Sequence, residues 1–153
     1  MRIQARIRAR KGATMVETGV VIIIALLFMF GIFEYGRFVM TRQIMENAAR
    51  AGARYAAVHT YDGSVADIQN KVDQKLSLGS KQLFGYNKTT SIQVYAADAA
   101  GNPISGTNWN DGAFGTMIAV KITGTYKPAL PNLLFMNSSF TLTTKAIMAS
   151  EAN

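Results

Sequence analysis

The chain has 153 residues, which is enough for one folded domain and leaves little room for a second. The net charge is +7, and five of the positive residues lie within the first eleven positions, where no acidic residue occurs. Without those five the remainder carries only +2, so the high isoelectric point does not indicate a nucleic-acid partner. The absence of cysteine excludes disulfides and thiolate chemistry but leaves the redox compartment open.

The apolar residues are concentrated near the N-terminus, between Ala13 and Phe33. These 21 residues contain a single charge, Glu17. A helix of that length is about 30 Å long, which matches the hydrocarbon core of a bilayer, and its central residues are apolar on every side. The sequence therefore predicts a basic leader at 1–12, a transmembrane helix at 13–35 that contacts the lipid bilayer, and a head at 36–153.

The distribution of basic residues predicts the orientation of this span. Lys and Arg favour the cytoplasmic side of a membrane helix, and the leader is rich in both. Four arginines after the span weaken this bias, and two glutamates in the same region offset them in part. We expect a single-pass protein of a bacterial inner membrane, with a cytoplasmic N-terminus and an extracytoplasmic head.

Three interpretations of the N-terminal segment remain open. A cleaved secretory signal would need small residues before the cut, and Ile32, Phe33 and Glu34 fit that pattern badly. A plain membrane anchor fits the length and the charge but leaves the buried carboxylate of Glu17 unexplained, unless it reaches the membrane surface from its place near the helix start. The third interpretation is proteolytic processing at the glycine that precedes the span.

The segment Gly12-Ala13-Thr14-Met15-Val16-Glu17 resembles the cleavage motif of type IV prepilins. The resemblance implies that a prepilin peptidase cuts after Gly12, which makes Ala13 the new N-terminus and Glu17 the fifth residue of the mature chain. The new α-ammonium and the helix dipole would both favour a nearby carboxylate. Glu17 of one subunit is thus expected to pair with Ala13 of its neighbour and to set the axial register of assembly.

The resemblance continues beyond the span. The segments 33–37 and 42–56, and a C-terminal pattern that begins at Tyr126-Lys127-Pro128, are similar to those of TadE-like proteins, which are minor pseudopilins of the tight-adherence (Tad, or Flp) pilus. Major Flp pilins have Tyr after the processing-site glutamate, whereas Thr18 stands here, and this departure favours a minor component. The resemblance implies a role in assembly with other pilins, pseudopilins and the Tad assembly machinery, in the membrane or in a surface pilus. The helix packing is expected to come chiefly from Val20, Ile24, Leu27 and Phe30.

The remainder of the chain predicts a pilin-like α+β head. The long helix should continue to about Val58, and Ser64 with Asp67 should cap a second helix that ends at Gly79. Three alternating segments, around 92–96, 118–122 and 140–148, predict a small antiparallel sheet of about three strands, with a long loop at 98–115. A further stretch is unusually apolar for a loop, and we expect it to fold under the sheet or to contact a partner pilin: Leu130, Leu133, Leu134, Phe135 and Met136.

Small residues follow each other at spacing four along the soluble part of the long helix. They form two rows, Ala48, Gly52 and Ala56, and Ala49, Ala53 and Ala57. Such rows allow another element to approach closely, as between membrane helices. Two hypotheses stay equal at this point: the rows seat the helix on its own sheet, or they receive a partner.

No constellation of catalytic residues is evident, and we expect a protein that is not an enzyme, with no cofactor and no metal. The single histidine, His59, has neither a cysteine nor a second histidine at ligand spacing, so a structural role is predicted for it. Five polar residues of the long loop offer oxygen ligands, but their spacing does not match a calcium loop: Asp98, Asn102, Asn108, Asn110 and Asp111. The rival hypothesis to a minor pilin is a permanently anchored exported protein whose head binds a ligand or an envelope component.

Overall fold

A computed structural model describes residues 3–111, 113–131 and 137–151, with side chains from Gly12 onward except those of Leu78 and Ser80. The chain divides into two compact units, Met1–Gly36 and Arg37–Asn153. Helix α1 is continuous across this division and runs from Ile3 to Val58. The long N-terminal helix that the sequence predicts is therefore confirmed, and it ends at the expected residue.

The first unit is helical, and its apolar side chains face outward. Val20 is 52% exposed and Phe28 is 64% exposed, although both are residues that ordinarily enter a protein core. Within the described chain, Gly12–Val58 includes one stretch that is long and apolar enough to cross a membrane, and no residue of that stretch is buried. The chain therefore has an N-terminal apolar helix that can span a bilayer.

Helix α2 runs from Val65 to Ser80 and begins with the predicted cap. The Ser64 side chain accepts a hydrogen bond from the Asp67 backbone N–H at 3.2 Å, and the Asp67 carboxylate accepts one from the Ser64 N–H, also at 3.2 Å. Of its predicted apolar face, Ile68, Val72 and Leu76 are fully buried, and Val65 is 40% exposed in the first turn.

The prediction that Gly79 terminates α2 is wrong, because the helix continues to Ser80. Gly79 lies against α1 instead. A Cβ at this position would come within 2.9 Å of Ile44 Cγ2, so the glycine allows the last turn of α2 to approach α1 closely.

Four strands form one antiparallel sheet: β1 (Leu83–Phe84), β2 (Ile92–Ala97), β3 (Met117–Tyr126) and β4 (Phe140–Ala149). Strand β3 is central. It pairs with β4 over its whole length on one side, and with β2 and then β1 on the other, with Val94 opposite Val120 and Val120 opposite Ala146. The α+β class and the three longer strands are confirmed. The sequence did not predict β1 or the single-turn helix α3 (Lys88–Ser91) that precedes β2.

Strand β4 forms one edge of the sheet, since among the described strands it pairs with β3 alone. Its predicted apolar face is only partly covered: Leu142 and Ala146 pack against the core, and Met148 stays 38% exposed. The alternation of apolar and polar residues therefore predicted the strand. It did not predict that β4 lies at the edge of the sheet, where its apolar side chains are only partly buried.

The two rows of small residues on α1 lie inside the head. Ala48, Ala49, Ala53 and Ala56 are fully buried in the core that α1 shares with α2 and the sheet. A Cβ at Gly52 would collide with Val72 Cγ2 and lie 3.3 Å from Val120 Cγ1. The rows therefore seat α1 on its own head, which decides between the two hypotheses.

The loop between β2 and β3 contributes to the core. Trp109, the single tryptophan, is only 6% exposed and belongs to the main apolar cluster, although its neighbours in sequence are polar. In the second long loop Leu130 is 43% exposed. The remaining apolar residues of that predicted stretch, Leu133, Leu134, Phe135 and Met136, lie outside the described residues.

Candidate functional site

The predicted processing site lies within α1. Gly12 and Ala13 are exposed and helical, and no atom outside the local helix comes within 4 Å of a Cβ built on Gly12. Glycine destabilises a helix interior by about 1 kcal/mol relative to alanine, and nothing in the described structure packs over this position to compensate. The helix is therefore easier to open at Gly12 than at a neighbouring residue with a side chain, and Gly19, whose surroundings are equally open, shares this property.

Glu17 lies one helical turn after Ala13 and is exposed. Among the described side chains none forms a hydrogen bond or an ion pair with its carboxylate. Four residues of helix correspond to a rise of about 6 Å, so the two positions share one face of α1. The sequence-predicted pair is thus brought to the same face in one chain, and the proposed pairing between subunits stays a prediction.

The Thr18 hydroxyl, next to Glu17 in sequence, has a hydrogen-bond partner in its own helix. Thr18 Oγ1 donates to the carbonyl oxygen of Thr14 at 2.8 Å, so this polar group is satisfied within its own helix. Of these two adjacent polar side chains, Thr18 has a hydrogen-bond partner within the described chain and Glu17 has none.

The residues expected to pack against other helices are available for contact. Val20, Ile24 and Phe30 are 52%, 50% and 44% exposed, and Leu27 is partly covered. Val20, Ile24 and Leu27 follow the spacing of one helix face, with Phe30 on its flank. Their exposure fits a helix that lipid or other helices surround, and it leaves their assignment as packing residues a prediction.

The histidine of the head is held by its own helix end. The His59 ring stacks on Tyr55 at 4.1 Å between centroids, and its Nδ1–H donates to the Tyr55 carbonyl oxygen at 3.0 Å. This contact completes the C-terminal turn of α1, and the arrangement is that of a structural residue.

Four of the five polar residues singled out in the β2–β3 loop form hydrogen bonds with each other in pairs. Asp98 accepts hydrogen bonds from the backbone N–H and the side-chain amide of Asn102, and these bonds hold the pKa of its carboxyl below the usual range. Asp111 accepts in the same way from Asn108, at 2.7 Å from the side chain. In the residues that the structure describes, no group of three or more acidic or histidine side chains that could hold a metal occurs.

A polar pair also stabilises the α2 side of the head. The Tyr86 hydroxyl donates to Asp73 Oδ1 at 2.8 Å. Burial raises the pKa of the Tyr86 phenol, and the hydrogen bond to Asp73 raises it further. The phenol therefore stays protonated and serves as a fixed donor.

A groove of about 520 Å³ lies between α1 and the edge strand β4. Its helical wall carries Glu46 between two arginines, with Arg42 Nε 3.1 Å and Arg50 Nη2 3.9 Å from the carboxylate oxygens. These exposed pairs contribute little to stability, and they place positive charge along the groove.

Sequence reasoning missed a cluster at the end of the head where the chain enters it from the apolar segment. Arg37 Nη2 donates to the Lys127 carbonyl oxygen at 2.9 Å, and its guanidinium lies 5.0 Å from the ring centroid of the buried Tyr126. The Lys127 ammonium lies 3.2 Å above the ring of Phe84. The three positions are far apart in sequence, so local patterns carried no signal for them.

Comparison with curated proteins and with solved structures finds no match. A family model does match: residues 12–54, from the predicted processing glycine to the soluble part of α1, match the model of the TadE-like protein family. The matched stretch contains the apolar span and Glu17, together with the part of α1 that follows the span, up to Arg54. The resemblance to TadE-like proteins is thereby confirmed over residues 12–54.

Proposed function

We propose that the chain is a minor pilin of a Tad pilus, processed after Gly12 and active in pilus assembly. The observation that carries the proposal is the TadE-like match, because it begins at Gly12 and covers the whole apolar helix. Membership of this kind suggests involvement in the Tad pilus system. Gly12, Glu17 and the exposed apolar side chains all lie within the segment that matches the TadE-like family model.

The exposed apolar helix supports insertion in a membrane before assembly. Side chains such as Ile23, 65% exposed, and Phe28 are solvated poorly by water, and lipid tails replace water at no comparable cost. During assembly the helices of other subunits would take the place of lipid, and small gains in packing then favour the polymer. The leader charges support a cytoplasmic N-terminus and a head outside the inner membrane.

Glu17 supplies the specificity that apolar contacts lack. A helix that is apolar on all sides can slide along its neighbour with little change in energy. A carboxylate in that setting is costly unless it finds a positive partner, and the Ala13 ammonium created by processing is such a partner in an adjacent subunit. One allowed register then replaces many similar ones, and no bond chemistry is required from this chain.

Mass spectrometry of the membrane-extracted protein tests the processing step. In cells that co-express the prepilin peptidase, we expect a mature chain that begins at Ala13. Gly12→Leu should block the cut, because the added side chain obstructs the approach to the backbone. Gly19→Leu is the matched control, since Gly19 lies in the same helix with equally open surroundings. It should be processed normally.

An intact Met1 or Arg2 terminus in the unaltered protein would contradict the proposal. It would favour the rival function, a permanently anchored exported protein whose head binds a ligand or an envelope component. A loss of processing in both glycine variants would indicate a general effect of bulk and remove the evidence for a specific site.

A further inference from the structure

The head has a cationic and aromatic cluster at the end where the chain enters it. Lys127 is exposed, and its ammonium lies over Phe84, whose ring is 62% exposed. Lys81, also exposed, caps the C-terminal end of α2 and is followed by Gln82, which accepts a hydrogen bond from Thr41 at 2.9 Å. We use the name entry cluster for Lys81, Phe84 and Lys127.

Chain connectivity limits how far the entry cluster can lie from the end of the predicted span. Arg37 comes two residues after the predicted end of the span at 35, and consecutive Cα atoms are about 3.8 Å apart. Its guanidinium contacts Lys127 directly, and Thr41, which contacts Gln82, is one helical turn further on. The entry cluster is therefore held within a few side-chain lengths of the end of the span.

Arg37 connects α1 to the entry cluster and is not counted among its members. Its guanidinium is engaged with the Lys127 carbonyl and the Tyr126 ring. Lys81 and Lys127 are exposed residues and have no ion pair to a described residue.

The exposed ring of Phe84 is unusual for a strand of this sheet. Its neighbour Leu83 is 5% exposed and enters the core, whereas Phe84 points its ring to the surface beneath a lysine. Exposed aromatic rings next to Lys and Arg are typical of the interfacial region of a bilayer, where the ring replaces water and the cation meets phosphate. Phe33 and Tyr35, which close the apolar segment, are 68% and 69% exposed and continue the same pattern along the chain.

We propose that the entry cluster binds the anionic phospholipid headgroups of the membrane that the N-terminal helix spans. Lys81 and Lys127 neutralise headgroup phosphates, and the Phe84 ring occupies the interface. The inference rests on the membrane span of the proposed function. It adds a second, electrostatic contact that holds the head on the membrane surface until the subunit is extracted into a pilus.

Site-resolved acylation of lysines tests this contact in the full chain. The protein is reconstituted in nanodiscs of phosphatidylcholine alone or of phosphatidylcholine mixed with phosphatidylglycerol, and an uncharged acylating reagent is applied. We expect Lys127 to react about fivefold more slowly in the anionic discs, which corresponds to about 1 kcal/mol per Lys at an anionic surface, and Lys81 to follow it. The shielding of Lys127 by Phe84 is the same in both lipids and therefore cancels.

Lys71 and Lys75 are internal controls, because both are exposed on α2 away from the α1 contact. Their rates should be nearly equal in the two discs. Equal rates for Lys127, or a slowing that Lys71 and Lys75 share, would overturn the headgroup contact while co-elution with the discs still supports the span. A chain that does not enter discs at all would instead overturn the proposed function.

Discussion

Gly52 of α1 lies directly against Val72 of α2. A Cβ at position 52 would collide with Val72 Cγ2, with Val120 Cγ1 of the central strand at 3.3 Å and Ile68 Cγ2 at 3.7 Å. The absence of a side chain at this one position lets the long helix, the second helix and the sheet meet in a single core. The soluble part of α1 is in this way fixed in the core of the head.

Gly52→Ala is expected to destabilise the head. Alanine improves helix propensity by about 1 kcal/mol, but overpacking of a well-filled core costs roughly 1–3 kcal/mol, so the loss should dominate. The fluorescence of Trp109, the single tryptophan and a core residue, reports unfolding of the head in detergent. Gly36→Ala is the control, because its surroundings are open, and it should not lower the unfolding temperature.

The contact between Gly52 and Val72 also predicts a double-mutant result. Val72→Ala removes the methyl groups that the new alanine would meet, so the two changes should compensate in part. We expect the double variant to be more stable than the sum of the single losses by about 0.5–3 kcal/mol, the range for residues in contact. Strict additivity would show that the strain lies elsewhere.

The cap of α2 gives a third prediction. Ser64→Ala removes the acceptor for the Asp67 N–H and should lower the free energy of unfolding by about 1 kcal/mol. Ser64→Thr keeps a hydroxyl at the same place and is the matched control. A loss of equal size in both variants would mean that the hydroxyl hydrogen bond does not determine the stability of this helix start.

Asp67 makes the stability of the head dependent on acid pH. Hydrogen bonds from the Ser64 side chain and backbone lower the pKa of the Asp67 carboxyl below its ordinary value of 3.8. The unfolded chain then binds the proton more tightly than the folded one, so the stabilisation is present above the unfolded pKa and is lost as the pH falls through the folded pKa.

Asp67→Asn should therefore reduce the fall in unfolding temperature between neutral pH and about pH 3. The amide oxygen can still accept from Ser64, so the change removes the titration more than the cap. Asp62→Asn, in the preceding turn, is the control, because in the described structure Asp62 accepts no hydrogen bond. An acid sensitivity unchanged by Asp67→Asn would contradict this assignment.

Local patterns predicted much of the fold because their causes are local. A cap needs only Ser64 and Asp67 three residues apart, and alternation over residues 118–123 and 140–148 identified β3 and β4. Strand β1 has two residues, which is too short for any period, and it forms only because β3 offers Thr125 and Tyr126 as partners. Trp109 was missed for the same reason: its burial depends on the distant core and not on its polar neighbours.

Of the candidate site, the sequence predicted the N-terminal segment but not the cluster on the head. Gly12, Ala13 and Glu17 were identified by their resemblance to a prepilin motif; they lie in one helix, and their roles stay predictions. The apolar span followed from composition. The entry cluster was not predictable, because Arg37, Phe84 and Lys127 are brought together by sheet pairing and by the packing of α1. Partners in other subunits leave no trace in the fold of a single chain, and they require the assembly experiment that follows.

The last prediction concerns the register role of Glu17 in the assembled pilus. Glu17→Gln should permit insertion and leave the N-terminus at Ala13, because neither step needs the charge. It should strongly reduce the amount of this protein in sheared pili, because the Ala13 ammonium of the neighbouring subunit would then lie in an apolar environment without a counter-charge. Immunodetection in the pilus and membrane fractions measures the distribution.

Thr18→Val is the matched control for that experiment. It alters the adjacent polar residue at nearly constant volume, and the lost hydrogen bond to Thr14 lies within one helix, so no contact between subunits is removed. If Thr18→Val reduced incorporation as much as Glu17→Gln, polarity in this turn would matter only for the helix itself. If Glu17→Gln entered pili at the unaltered level, the carboxylate would have no role in register. The distinction depends on charge because Glu17 carries the one ionisable side chain between Gly12 and Phe33.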